Sequence, residues 1–159
     1  MSRIIMGIDP GIADTGYGII EINSSNLKCL EYGSIKTKAG TPLLTRLHKL
    51  HTELDVLIKK YQPAIISVEE LFFCNNAKTA IIVGQARGVV LLAIEQNNIP
   101  FVEFTPLQIK QAVSSFGGAD KKQVQRMVKL ILNLKEIPTP DDAADGLAAA
   151  ICASNNKLQ

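Results

Sequence analysis

Four carboxylates stand at places where a charged side chain is costly. Asp9 ends the apolar run Arg3-Ile4-Ile5-Met6-Gly7-Ile8, and Glu69 ends a second one, Ala64-Ile65-Ile66-Ser67-Val68. A carboxylate at the end of so apolar a strand must be paired, hydrogen-bonded or bound to metal. For Asp9 the plain alternative is a turn aspartate that bonds its own backbone. Glu70 follows Glu69, and the two-residue period of a strand sends one of the pair to each side, so at most one faces the site; we choose Glu69. Asp142 and Asp145 begin an Ala-rich segment and share one face of a helix at i, i+3 spacing. The plain alternative for Asp142, as for Asp141, is an acid stabilised by the helix N-terminus. Converging without a cation, these four acids repel one another, and divalent ions are the natural remedy. Oxygen-only ligation points to Mg²⁺ or Mn²⁺ rather than zinc or copper. Two such ions about 3.5–4 Å apart clamp the attacking water and the leaving oxygen of a phosphodiester.

The elements that must position these acids are legible in order. Residues 3–8 form a first strand, Asp9-Pro10-Gly11 breaks it, and residues 17–23 return beside it. Ser24-Ser25-Asn26 turns the chain into a third strand over residues 27–36, with Gly33 its weak point. Short connections make these three an antiparallel meander. Thr41-Pro42 opens a helix as cap and first residue, carried by Leu43, Leu47, Leu50, Leu54, Leu57 and Ile58 until Tyr61-Gln62-Pro63 stops it. Residues 64–68 read as a strand buried on both faces. A long helix over residues 77–96 follows; its Ala80, Gly84 and Gly88 recur every four residues and leave one side smooth. Apolar residues surround that helix, so it buries more than one side, either in a dimer interface or within its own domain. Residues 99–104 give a fifth strand. Thr105-Pro106 opens a helix to about Ser114, and Asp120 with Gln123 forms a capping box for the next. Ile137-Pro138-Thr139-Pro140 forces an extended break before the final helix, residues 141–154. The sum is a single α/β domain over residues 1–159, a five-stranded mixed sheet flanked by helices.

Composition narrows the class. The 159 residues, 47% hydrophobic and 20% charged, suit a folded core rather than a disordered chain. The most apolar long stretch, residues 79–94, is broken by Gln85 and Arg87, and the N-terminus lacks the pattern of a secretory signal; a cytoplasmic protein is expected. Cys29, Cys74 and Cys152 are widely spaced with no C-x-x-C pair, which disfavours a disulfide framework or a zinc site. Net charge is +2, but Lys110, Lys121, Lys122, Arg126 and Lys129 cluster ahead of the acids Glu136, Asp141, Asp142 and Asp145. A basic surface beside an acidic cluster suits a metal-dependent nuclease, one for phosphate backbone and one for cations; a solvated helix face is the plain alternative.

Taken together, four segments resemble the RuvC family of bacterial Holliday-junction resolvases along essentially the whole chain. They are Gly7-Ile8-Asp9-Pro10-Gly11 with Thr15-Gly16-Tyr17-Gly18, then Val68-Glu69-Glu70-Leu71-Phe72, then Gly84-Gln85-Ala86-Arg87-Gly88, and last Asp142-Ala143-Ala144-Asp145-Gly146-Leu147-Ala148. The resemblance implies an RNase H-like fold and a homodimer that nicks four-way DNA junctions symmetrically with Mg²⁺. It implies Asp9, Glu69, Asp142 and Asp145 as the catalytic, metal-holding acids. It further implies that Phe72 stacks on an unpaired base, that Lys110 and Lys121 contact DNA, and that the RuvA and RuvB branch-migration proteins are partners. The family's usual residue after the catalytic Glu is Gln, where this chain has Glu70.

Two other classes compete. An ATPase of the actin and sugar-kinase superfamily opens with a similar strand–turn–strand, but normally needs two such domains around a nucleotide cleft. A junction-binding module without catalysis is opposed by the intact set of acids.

Overall fold

The computed structural model describes residues 2–24, 26–71 and 77–155. Strands β1 (Ser2–Asp9), β2 (Asp14–Asn23) and β3 (Asn26–Lys36) are followed by α1 (Leu43–Tyr61), β4 (Ile65–Glu69) and α2 (Ala77–Gln96). Then come β5 (Phe101–Phe104), α3 (Pro106–Ser114), α4 (Lys121–Ile131) and α5 (Asp141–Asn155). The sheet order is β3-β2-β1-β4-β5. β1, β2 and β3 pair antiparallel, while β4 lies parallel to both β1 and β5. Central β1 therefore has the meander on one side and the parallel strands on the other, as the mixed sheet expected from sequence requires.

Strand alternation sorts the side chains between two cores. Met6, Ile8, Ile19, Ile66 and Val68 join Leu50, Leu54, Ile58, Ala86 and Val90 on the α1/α2 side. Ile5, Ile20 and Ile65 join Ile109, Val124, Val128 and Leu147 on the side of α3, α4 and α5. Each of the larger aliphatic side chains among them stabilises the fold by roughly 1.5–3 kcal/mol. That burial on both faces fixes strand register, because a one-residue slip would turn every side chain to the wrong core.

α5 lies directly on β1 and β2, and glycine makes this approach possible. A Cβ on Gly7 would come 2.1 Å from the Gly146 carbonyl oxygen, and one on Gly16 would come 1.8 Å from that of Asp142. No side chain fits in either gap. Ten residues of α5 are buried, chiefly alanines, which pack close without adding bulk.

Several local expectations are modified. Thr41 does not cap α1: Pro42 is the cap residue and no side chain bonds the first turn. Thr105 and Asp120 do close capping boxes, with Gln108 and Gln123. The irregularity of the β2–β3 ladder falls at Ile19/Ile20, where Leu30 is the extra residue, and not at Gly33, which pairs regularly with Tyr17. β5 starts at Phe101 rather than at residue 99. α2 is apolar on all sides yet buries one side within the chain, through Ala86, Val90, Ala93 and Ile94. Ile81 and Leu92 are 63% and 51% exposed, and nothing among the described residues lies within 4 Å of a Cβ built on Gly84 or Gly88. By length and composition α2 is also apolar enough to cross a membrane; here it packs on α1, and its Arg87 pairs with Glu103 of β5.

Candidate active site

Asp9 shares its parity with Ile5 and Gly7, so it emerges at the end of β1 on the side covered by α5. Glu69 shares its parity with Ile65 and Ser67 at the end of β4 and emerges on the same side. β1 and β4 run parallel with Ile8 opposite Val68, which brings both acids to one edge of the sheet. Ligand-binding crevices of α/β sheets open at such strand ends. The turn after Asp9 is pinned from two directions. The buried Thr15 hydroxyl donates to the Gly11 carbonyl, and the Thr37 hydroxyl donates to the Ile12 carbonyl while accepting from Arg46 Nε at 2.8 Å. α5 supplies the other wall. Its first turn presents Asp142 and Asp145 toward β1 because Gly16 lets the helix backbone settle against β2.

The result is a group of three carboxylates, Asp9, Asp142 and Asp145, whose ligand oxygens lie within 4.8 Å of one another. Glu69 lies outside that trio but, with Asp9 and Asp145, lines a cavity of about 290 Å³ together with Lys110, Lys121, Pro106, Ile109 and Val124. Asp142 is joined to this cavity through Asp9 and Asp145 and is not itself among the lining residues. Glu70 does not line it, and its N–H bonds the Phe104 carbonyl at 2.9 Å. Strand alternation thus selects Glu69 over its neighbour. Lys110 and Lys121 both reach the cavity. Phe72 lies outside the described residues.

Burial and mutual repulsion set the protonation of the acids. Burial, then Glu69, Asp145 and Asp142, push Asp9 up from 3.8 to about 8. Burial, then Asp145, push Glu69 up to about 7, against the pull of Lys121 and Lys110. Burial raises Asp145 as well, and Lys121 opposes it. Burial also works against the Lys121 ammonium, but Asp145, then Asp141 and Asp142, more than offset it and lift its pKa above the usual lysine value. Such perturbed groups, gathered in one cleft, mark a functional centre. The donors are all carboxylate oxygens, and their crowding is relieved by positive charge. The residues therefore fit a hard divalent cation.

Sequence reasoning missed the cross-link between α4 and α5. Lys121 Nζ sits 3.1 Å from Asp145 Oδ2 and 3.7 Å from Asp141 Oδ2, and Gln125 Nε2 donates to Asp141 Oδ1 at 2.9 Å. The signal was present as two i, i+4 pairs, Lys121/Gln125 and Asp141/Asp145, one on each helix.

A mixed sheet with acids at the ends of β1 and β4 and on the first turn of a covering helix defines an RNase H-like nuclease. The model of the family "Crossover junction endodeoxyribonuclease RuvC" matches residues 5–153. This chain belongs to that RuvC family. The crossover junction endodeoxyribonuclease RuvC of Caldicellulosiruptor saccharolyticus is 54% identical over 149 residues, covering 93% of this chain and 90% of that protein. Thermus thermophilus RuvC, solved in complex with a Holliday junction substrate, superposes with a TM-score of 0.90 at 34% identity, covering 96% and 93% of the two chains. The yeast mitochondrial Holliday junction resolvase Ydc2 shares the fold, with a TM-score of 0.66 at 15% identity over 93% of this chain and 76% of that one.

Proposed function

We propose that this nuclease resolves Holliday junctions in DNA recombination and repair, making paired, symmetric nicks in four-way DNA with Mg²⁺ as its cation. The observation that carries this reading is the shared cavity: carboxylates at its floor and two lysines on its wall. Asp9, Glu69, Asp142 and Asp145 would hold one or two Mg²⁺ ions, with Mn²⁺ able to substitute. Bound there, the cations would supply a more nucleophilic water and charge neutralisation at the leaving oxygen.

The chain's own residues supply the rest. Lys110 and Lys121 hold the phosphate backbone over the acids. Ile109, Val124 and Pro106 give the cavity an apolar side beside the charged groups. Among the described residues that line it there is no Ser, Cys or Tyr, which supports direct attack of water on the phosphodiester. Phe72 follows Glu69 by three positions, where an exposed ring would stack on an unpaired base.

One such centre in the nuclease domain, residues 1–159, cuts one strand. Paired cuts need two, and the open face of α2 around Gly84 and Gly88, flanked by exposed Ile81 and Leu92, suits a second copy of this chain. The reading carries a cytoplasmic location, where the DNA is, and the RuvA and RuvB branch-migration proteins as partners.

The test is cleavage of a labelled four-way junction and a linear duplex of the same sequence with Mg²⁺. Nicks confined to the junction are expected. Equal cutting of both substrates, or none of either, would overturn the proposal.

A further inference from the structure

Lys121 occupies an unusual position, because the carboxylate it grips is one that a divalent cation would also need. Its ammonium lies 3.1 Å from Asp145, inside the cavity, where the Asp145 side chain is 24% exposed. A second acid, Asp141, lies 3.7 Å from the same ammonium; it is 63% exposed and not among the residues that line the cavity, so it marks the solvent side, or mouth. The outer acid is held in place: Gln125, itself 9% exposed, donates to its Oδ1 and leaves Oδ2 facing the lysine. The pairs Lys121/Gln125 on α4 and Asp141/Asp145 on α5 thus face each other as two rungs. The Asp120–Gln123 capping box fixes the turn from which Lys121 projects.

We propose that Lys121 is a displaceable counter-cation: it competes with the divalent ion for Asp145, moves to Asp141 at the mouth when the ion binds, and there meets a DNA phosphate. Asp141 and Gln125 are positioning residues in this arrangement; they keep the displaced ammonium at the mouth instead of releasing it to solvent. Metal binding and DNA binding then help each other through one side chain. By linkage, the help must be equal in both directions. This rests on the nuclease reading above, and adds to it an order of events that four acids alone do not imply.

The sign of the competition is clear from charge. Removing one positive charge favours a doubly charged ion twice as much as the proton that competes with it for the same acids. Lys121→Gln should therefore bind the cation more tightly in the absence of DNA, even as it binds DNA more weakly. The effect should be about fivefold, the scale of a partly exposed ion pair. Lys121→Arg keeps the charge and should stay near wild type. Asp141→Asn removes the outer seat, leaves the ammonium on Asp145 and should weaken cation binding.

The experiment measures Mn²⁺ binding to the DNA-free full chain by the paramagnetic signal of the free ion, for wild type and these three variants. It then measures junction affinity with and without Ca²⁺, a non-reactive probe cation. We expect Ca²⁺ to raise junction affinity for wild type and to do so far less for Lys121→Gln. Unchanged or weaker Mn²⁺ binding by Lys121→Gln, or an undiminished Ca²⁺ effect, would overturn the inference. Junction cleavage by the wild-type chain separates the two ideas. If wild type cuts but Mn²⁺ binding ignores Lys121, only the counter-cation role falls; if wild type does not cut, the nuclease reading falls.

Discussion

At the scale of single residues, the proposed chemistry rests on carboxylates that the fold keeps partly buried and close together. Asp9 is raised from 3.8 to about 8, first by burial and then by Glu69, and Glu69 rises from 4.5 to about 7. A carboxylate whose folded pKa lies above its unfolded one binds more protons in the folded state between those two values. Its protonation therefore supports the fold fully below the unfolded pKa, and that support drains away as pH rises through the folded pKa. For the cation-free chain, Tm should fall between about pH 5 and 8, the span set by these two groups. Asp9→Asn, neutral throughout, should show a shallower fall, and saturating Mg²⁺ should flatten it in wild type. Thermal unfolding across that range in a chelating buffer checks this, and an Asp9→Asn slope as steep as wild type would contradict it. The sequence disclosed these acids because each breaks a strong local expectation: a charge ending an apolar strand, or two acids on one turn of an Ala-rich helix. Lys121 was legible as a basic residue, but its partners were not, since contacts between helices leave no mark in local spacing unless both helices are laid side by side.

At the scale of elements, the site depends on how closely α5 lies against β1 and β2. Glycines at Gly7, Gly16 and Gly146 open that gap. From sequence, Gly16 and Gly18 stand only as part of the Thr15-Gly16-Tyr17-Gly18 motif; their role as a bed for α5 depends on long-range packing that local patterns do not carry. Gly16→Ala should push its new Cβ against the Asp142 carbonyl, which stands 1.8 Å from that position. Overpacking of this kind costs about 1–3 kcal/mol, and here it also moves Asp142 away from Asp9. The expected outcome is a lower Tm together with weakened Mn²⁺ binding in the protein that remains folded. Normal cation binding by Gly16→Ala would show that α5 can shift without moving its acids. Elements with a strong local signal are legible in the sequence, notably the strands bounded by turns, the Thr105 cap of α3 and the Asp120–Gln123 capping box of α4. The start of α1 is not, because Pro42 displaces the threonine cap that its neighbour suggests.

At the scale of the whole molecule, the α2 surface around Gly84 and Gly88 meets no neighbour among the described residues. α2 exposes Ile81 and Leu92 beside Gly84 and Gly88, and its periodicity could not tell burial within the chain from burial against a second copy. The proposed second copy is supported by the open space among the described residues around these glycines. Gly84→Leu should keep or raise monomer stability, since glycine weakens a helix interior by about 1 kcal/mol, yet block close approach of another helix. Sedimentation should show a wild-type dimer and a variant monomer; an intact dimer in the variant would place the interface elsewhere. On the proposed function, symmetric cutting needs such a dimer, because the described residues hold one acidic centre per chain and a junction must be nicked twice. The most direct test of the whole account is therefore to map the nicks in a labelled four-way junction with Mg²⁺, for wild type and Asp9→Asn. The account predicts nicks at symmetry-related positions in two opposing strands, in the junction and not in linear duplex, and their loss in Asp9→Asn with junction binding retained. Unpaired nicks, or cutting that survives the loss of Asp9, would contradict it.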